Sequence, residues 1–404
     1  MASLHSLTPN PTDPFSRWMV EMHDERNNIG VSTLFQSYFA KPGSQTLFSP
    51  DSNDVDIDII KGNRKTAALV PRGAVSQTLG SLGKSTSAEQ FKTFSRKFPL
   101  AEEMSEISAN QLLFRQAGES PYQGLSRQQR MRGLAQRNHA EHMRRLIRLS
   151  EVLASQSILT GKMPAILGTT DTDYIYDFQR DATLTVTVAN AWDSGSQTIL
   201  ADIDGICEKV RVLGFMNPDH IIMGEGAFAA FQDDTDIKAL ADNRRYEVVN
   251  INSSLTVPPN LQFLVDGGAQ LRAVLQTPKG FKLHIFTYLD SYENTSAVDT
   301  KYMLTSEALI GSSQARCDRY FGPPERLPIT SSEKMEFQEL FGFNLDMPMQ
   351  PPNIKNANAV VRPDAFYVDF YRSHGNKAVT QRIQYAPIFA PTHVNGFGVL
   401  NGLV

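Results

Sequence analysis

Residues 126–161 read SRQQRMRGLAQRNHAEHMRRLIRLSEVLASQSILTG, from Ser126 to Gly161, a run with no proline and a single interior glycine, Gly133. Ser126 follows Gly124 and suits an N-cap, while Gly161 and Pro164 end the pattern. Leu134, Met143, Leu146, Leu149, Val152, Leu153 and Leu159 recur at helical spacing and form an apolar stripe. At 1.5 Å per residue such a helix is on the order of 50 Å long, against an average helix of ~11 residues. It predicts a spine on which other elements lean.

Strand-like segments lie on both sides of this helix. Upstream, Val55, Ile57 and Ile59 alternate with Asp54, Asp56 and Asp58, the period of a strand with one wet face. Thr66–Val70 and Ala74–Leu79 are candidate return strands. Between Lys61 and Lys97 stand eight basic residues against one acid, Glu89, with glycines at 62, 73, 80 and 83. Such a basic hairpin has too little apolar content for a core of its own. It is either a mobile surface loop or an arm ordered by an acidic neighbour. The opening segment to about Pro50 reads as an extended arm with one short helix around Ile29–Phe39. Downstream, Tyr174–Phe178 and Leu184–Val188 alternate around Arg180-Asp181 and suggest a hairpin. Helices over Thr198–Val212 and Ala227–Asp242 then mix with strand-like runs at His220–Met223, Leu261–Val265, Leu271–Leu275 and Phe281–Tyr288, which implies a separate α/β domain. Pro323–Pro363 holds seven of the 22 prolines and reads as a surface excursion, and strand character resumes from Val379.

The chain has 404 residues, 39 Lys+Arg against 43 Asp+Glu and a formal net charge of −4. That length supports two or three domains, and a mean hydropathy of −0.29 with no long apolar run excludes a helical membrane protein. The first residues carry no export signal, so the expectation is a chain that stays in a cytoplasm. Its two cysteines, Cys207 and Cys317, are then thiols, which excludes a disulfide framework and a four-cysteine zinc site. The near-neutral balance argues against a strongly basic nucleic-acid wrapper.

Tests for chemistry return little. Gly80-Ser-Leu-Gly83-Lys84-Ser85 ends like a phosphate-binding loop, but the required earlier glycine is Thr78 and no strong helix follows. His139 and His142 lack the four-residue spacing of a zinc-protease helix and are expected to be solvated. The seven arginines against one glutamate between Gln123 and Ser150 could hold phosphate or an acidic partner, or could be a charged outer face. Cys207 falls in the apolar phase of Ile203, Ile206 and Val210 and reads as core packing. Asn252-Ser-Ser254 matches a glycosylation acceptor only formally. Gly396-Phe-Gly398 lacks the helix a dinucleotide loop needs. No catalytic, cofactor or metal residues emerge.

Met303-Leu304 followed by Leu309-Ile-Gly311-Ser-Ser-Gln314-Ala-Arg316 resembles the Gly-x-Thr-Gln-Ala-Arg stretch of the lambda-type major capsid protein (major capsid protein E) family of tailed bacteriophages. Ser313 stands for the family threonine, and Cys317 for the glycine after the arginine. Ile383-Gln-Tyr-Ala386-Pro387-Ile-Phe389 is similar to the family's closing Gln-Ser-Ala-Pro strand, and Val152–Lys162 to its Val-Leu-Lys-Gly-Lys helix terminus. Asp177-Phe-Gln-Arg180 lies where the family has Asp-Met-Gly-Arg, and Val70–Leu79 resembles the start of its extended loop. The likeness runs from about residue 34 to the C-terminus. It implies an α+β, Hong Kong 97-type phage capsid fold: an N-terminal arm (1–50), an extended loop (51–110), a peripheral domain with spine helix and hairpin (111–195), an axial α/β domain (196–322), the Pro-rich excursion (323–363) and a return to the peripheral domain (364–404).

The resemblance further implies a non-enzymatic shell protein that assembles with itself as hexamers and pentamers into an icosahedral head in the virion, built in the bacterial host cytoplasm. Its implied partners are a scaffolding protein, a portal, a decoration protein and packaged double-stranded DNA on the inner face, with no membrane and no cofactor. A basic loop would then meet acidic surface next door. This makes Arg64, Lys65, Arg72, Lys84, Arg96, Lys97, Arg127 and Arg130 the candidates for inter-subunit contact. The rival from another class is a nucleotide- or nucleic-acid-binding enzyme using Gly83-Lys84-Ser85, which Lys84→Ala would disable. A third reading is a tail or decoration component of the same virion.

Overall fold

The computed structural model describes residues 31–49, 52–61, 90–115, 119, 124–166, 174–195, 197–242, 257–294, 297–325, 365–372 and 378–404. The expected strands at Thr66–Val70 and Ala74–Leu79, the Gly80–Ser85 loop, Asn252 and most of the Pro-rich excursion lie outside these residues.

The chain divides into two compact units, the first made of residues 1–55, 97–153 and 319–389. Its centre is the long helix α2 (Arg127–Thr160), 34 residues, whose part up to Leu153 belongs here. The helix starts with a reciprocal capping box: Ser126 Oγ accepts from Gln129 N–H at 3.2 Å, and Gln129 Oε1 accepts from Ser126 N–H at 2.9 Å.

One face of α2 lies on an antiparallel three-stranded sheet of order β15-β16-β4, with β4 at Ala101–Ser108, β15 at Phe366–Arg372 and β16 at Ala378–Tyr385. Met143 and Leu146 meet Ile383, Tyr385 and Phe321 in the core between them. Deleting a buried side chain of this kind costs about 2–5 kcal/mol. The contact also has a polar seam. Asn138 Nδ2 donates to Ser105 Oγ at 3.1 Å, His142 Nδ1 stands 3.3 Å from Glu103 Oε2, and the Ser150 hydroxyl bonds the Tyr385 hydroxyl at 3.1 Å. His139 and His142 are therefore not solvated as the sequence suggested, but 2% and 5% exposed. They fall on the sheet-facing side of the helix, whose apolar stripe is wider than the aliphatic residues alone outline.

The arm is stitched into this unit. Its helix α1 (Leu34–Tyr38) buries Leu34, Phe35 and Tyr38 completely. The buried Glu151 carboxylate of α2 accepts from the Phe35 and Gln36 amides at 2.7 and 3.1 Å, where a helix start leaves donors unsatisfied. Strand β1 (Thr46–Phe48) then pairs in parallel with β14 (Asp318–Phe321), in a sheet completed by β17 (Pro387–Ala390).

The second unit comprises residues 56–96, 154–318 and 390–404. Its six-stranded sheet has the order β7-β18-β13-β8-β10-β9, with β7 at Thr185–Thr187, β8 at His220–Met223, β9 at Gln270–Gln276, β10 at Lys282–Thr287, β13 at Ala308–Gly311 and β18 at Phe397–Asn401. The central strands β8 and β13 are buried at every position, which explains their continuous apolar runs. Helix α3 (Ile199–Leu213) contributes Ile203, Ile206, Cys207 and Val210 to the core, so Cys207 is the packing residue the sequence indicated. Burial and then the neighbouring Asp204 charge push its thiol up to about 12.

Three local expectations change. Tyr174–Phe178 and Leu184–Val188 do not pair with each other: β6 (Ile175–Asp177) joins β5 (Lys162–Pro164) and β7 joins β18. The Asp181 side chain caps a single 3-10 turn between them and redirects the chain. Leu261–Val265 is helical, because Pro258 and Pro259 fix the φ that starts a helical turn there. The helix expected over Ala227–Asp242 is two, α4 (Glu225–Asp233) and α5 (Thr235–Asp242), parted at Asp234. The extended backbone of Asp234 breaks the first helix, and its carboxylate caps the second through Ile237 N–H. The tail also divides: residues to Phe389 belong to the first unit, while β18 enters the second unit's sheet between β7 and β13.

Candidate assembly surfaces and the turns that hold them

In the second unit, a guanidinium ends the long helix. Arg180 donates to Ile158 O at 2.8 Å and to Leu159 O at 2.6 Å, and also to Thr185 Oγ1 at 2.6 Å. It thus satisfies carbonyls that a helix C-terminus leaves without intrahelical donors, at the negative end of the dipole. Burial lowers its pKa to about 10, still far above neutral, so the cap is charged. Gly161 follows with φ +71°, and a Cβ there would lie 2.8 Å from Arg180 Cβ. Glycine is required both for the left-handed backbone and for the approach of the arginine. Asp177 Oδ1 accepts from Gln179 N–H at 2.7 Å and holds the turn, in which Gln179 itself has φ 56°. The Gly161-Lys162 and Asp177–Arg180 segments are one device.

A second turn leaves β13. Gly311 pairs with His220 across the ladder, and a Cβ at Gly311 would lie 2.6 Å from His220 Nε2. Ser313 N–H donates to both Asp219 oxygens at 3.0 and 3.2 Å, its hydroxyl bonds Asp219 Oδ2, and His220 Nδ1 lies 2.6 Å from Asp219 Oδ1. Burial pushes the Asp219 carboxyl up, but the bonds from His220 and Ser313 outweigh it and leave the group below its ordinary value. Arg316 then grips Asp318 with Nε 2.9 Å from both oxygens, and Thr392 Oγ1 donates to the same carboxylate at 2.7 Å. His393 N–H donates to Arg316 O, and Arg316 N–H donates to His393 Nδ1, both at 3.0 Å. Ala315 is fully buried. Gly311, Ser313, Ala315 and Arg316 of this stretch therefore each have a positional reason, whereas the Gln314 side chain is exposed.

The hairpin stem is β2 (Asp54–Lys61) with β3 (Gln90–Lys97). Ile57 and Ile59 are 1% exposed, whereas Asp54, Asp56 and Asp58 face water, as their alternation implied. Thr93 Oγ1 donates to Asp58 Oδ1 at 2.7 Å, and Ile60 N–H donates to Thr392 O at 3.0 Å. The base of the loop is thereby fixed in its own chain.

Of the sequence-selected residues, Arg64, Lys65, Arg72 and Lys84 fall outside the described residues. The Arg96 guanidinium lies 5.7 Å from the Phe94 ring centre and 5.9 Å from that of Tyr176. Lys97 and Arg127 are exposed. Arg130 is engaged inside its own chain, 2.6 Å from Glu119 Oε1 and 3.1 Å from Leu112 O. Among the described residues, Arg96 and Arg130 engage different partners. Sequence reasoning missed Asp219, Glu151 and Glu119, because their partners stand 94, 116 and 11 positions away. At Glu151 the available signal was a lone acid leading into the apolar Val152-Leu-Ala154.

A long capped helix against a three-stranded sheet, a separate six-stranded α/β unit, a two-stranded stem and an arm woven into the first unit together define the Hong Kong 97-type capsid fold. The structure of a protein assigned as a prophage capsid protein of Escherichia coli CFT073 is similar over 95% of this chain and 98% of its own, with a TM-score of 0.53 at 14% identity. A phage-related protein from Bordetella bronchiseptica RB50 matches over 95% and 97% at 11% identity with a TM-score of 0.44. The mature capsid of bacteriophage PhiM1 matches over 90% and 86% at 10% identity with a TM-score of 0.43. No curated protein sequence matches the chain. Residues 44–342 match the family described as phage major capsid protein E, and the chain belongs to that family. It is a phage major capsid protein, with a structural role in the viral shell.

Proposed function

We propose that this chain assembles as hexamers and pentamers into the icosahedral head of a tailed phage, first as a procapsid around a scaffolding protein and a portal, then as the shell enclosing double-stranded DNA. The family match over residues 44–342 carries this reading. The fold supports it, since a subunit of a closed shell needs several heterologous contacts and this one offers the outer edges of a two-stranded stem and an exposed face of its long helix. Assembly takes place in the host cytoplasm, the chain performs no catalysis, and a decoration protein has the finished outer surface available to it.

Within this reading the basic 61–97 segment, with Arg64, Lys65, Arg72, Lys84, Arg96 and Lys97, meets acidic surface of an adjacent subunit. Arg127 and Arg130 act at the start of the long helix, Arg130 through its bonds to Leu112 O and Glu119. The test is deletion of residues 62–89, which leaves the fixed stem of the hairpin. A soluble, folded subunit that fails to form or stabilise shells agrees with the proposal. Shells of unchanged yield and stability contradict the role assigned to the segment.

A further inference from the structure

The long helix carries a charge pattern that is unfavourable for an isolated subunit. At 100° per residue, Arg127, Arg130, Arg137, Arg144, Arg145 and Arg148 fall within an arc of about 100°, and the acid on that arc near them is Glu141. All but Arg130 are exposed. Arg144 and Arg145 stand 3.8 and 3.4 Å from Glu141, Arg145 also 3.4 Å from Glu103, and Arg130 2.6 Å from Glu119, so three carboxylates moderate the six arginines without matching them in number. A helix face selected only for solubility alternates its signs, because opposite charges three or four residues apart stabilise a helix and like charges destabilise it. Arg144 and Arg148 are such a like-charged pair. The first turn holds no acid and carries Arg127 and Arg130, where the helix dipole favours anions. The arrangement gains when a polyanion lies along it.

We infer that this arginine stripe is the subunit's contact with the phosphate backbone of double-stranded DNA, and therefore that this face of α2 points into the lumen. The inference rests on the proposed shell function. From Arg127 to Arg148 the stripe is about 31 Å long, close to one turn of B-DNA at 3.4 Å per base pair. Among the described residues no large hydrophobic side chain is exposed between Leu125 and Ile166. Exposed apolar side chains adjoin only the start of the stripe, where Leu113 and Phe114 follow the backbone that Arg130 binds, so a protein segment docking along Arg137–Arg148 would find no apolar anchor on the helix, whereas phosphate binding requires none. The contact is independent of base sequence, as a shell enclosing a whole genome demands.

The test compares full-length wild type with the triple variants R137Q/R144Q/R148Q and R137K/R144K/R148K. Binding to a 30-base-pair duplex is measured against salt, and particle formation is scored by negative stain. Loss of three phosphate contacts lowers the log–log salt slope by about 2.7, equivalent to roughly 40-fold between 50 and 200 mM salt. The glutamine variant is expected to show that loss while still forming particles, and the lysine variant to keep the slope. Particles with an unchanged slope in the glutamine variant overturn the inference and leave the shell function standing. Polyglutamate binding that matches DNA binding, together with lost assembly in the glutamine variant, overturns it in favour of an acidic protein partner. Absence of particles from wild type itself refutes the shell reading and this inference with it.

Discussion

Replacing Arg180 with methionine removes the donors that close the last turn of the long helix while keeping most of the side chain's bulk. Two bonds to Ile158 O and Leu159 O, at 2.8 and 2.6 Å, and one to Thr185 Oγ1 are lost together. A hydrogen bond from a charged group contributes about 1.5–3 kcal/mol, and a buried carbonyl left without a donor costs about 1–3 kcal/mol. These terms overlap, since one guanidinium makes all the bonds and the helix end has water nearby, so the expected loss is about 3 kcal/mol. Because 1.4 kcal/mol is tenfold in an equilibrium constant, local opening of the last turn becomes about a hundredfold more frequent. Hydrogen exchange of peptides spanning residues 154–163 reads this directly, with peptides from β8 as the internal control. Arg180→Lys keeps the charge and part of the bonding and should exchange about tenfold faster than wild type. A methionine variant whose exchange in 154–163 rises less than threefold would refute the capping argument.

Gly161→Ala places a side chain on a left-handed residue and its Cβ 2.8 Å from Arg180 Cβ, so it should cost about 2 kcal/mol by chemical unfolding; a neutral substitution would show that the turn relaxes freely. Asp219 has a folded pKa below its ordinary value, so its contribution is present above about pH 4 and is lost as pH falls through the lower folded value. Asp219→Asn should therefore reduce stability at pH 7 and flatten the acid limb of the stability profile, whereas an unchanged acid limb would contradict the latch. Cys207 and Cys317 are both buried, the first with its thiol pushed up to about 12, so neither should react with a thiol reagent at pH 8 until the chain is unfolded. Rapid labelling of Cys207 in the native chain would show that the α3 core opens.

Long periodic elements were the readable part of this sequence. The helix over residues 127–160 was visible from its stripe and its Ser126 and Gly161 boundaries, because each of those signals is local. Strands β8, β9, β10 and β16 were visible for the same reason. Pairing was not. The 174–188 region looked like a hairpin because adjacent alternating runs usually pair, yet β7 takes its partner from residues 399–401, and no local pattern encodes a partner that distant. His139 and His142 were misplaced because the polar seam under the helix is made by Glu103 and Ser105 from another strand.

The turn residues Arg180, Gly311, Ser313 and Arg316 were found through family likeness, and their causes became visible only as geometry. The candidate contact residues were chosen by charge alone. Charge does not distinguish Arg130, engaged with Glu119, from Arg127, which faces water.

The most direct test of the central claim is electron microscopy of the full-length chain after expression, alone and with a scaffolding protein, paired with sedimentation of the same samples. The fold and family predict closed shells of uniform diameter built from hexameric and pentameric rings. A chain that stays a strict monomer at high concentration in both conditions would contradict them.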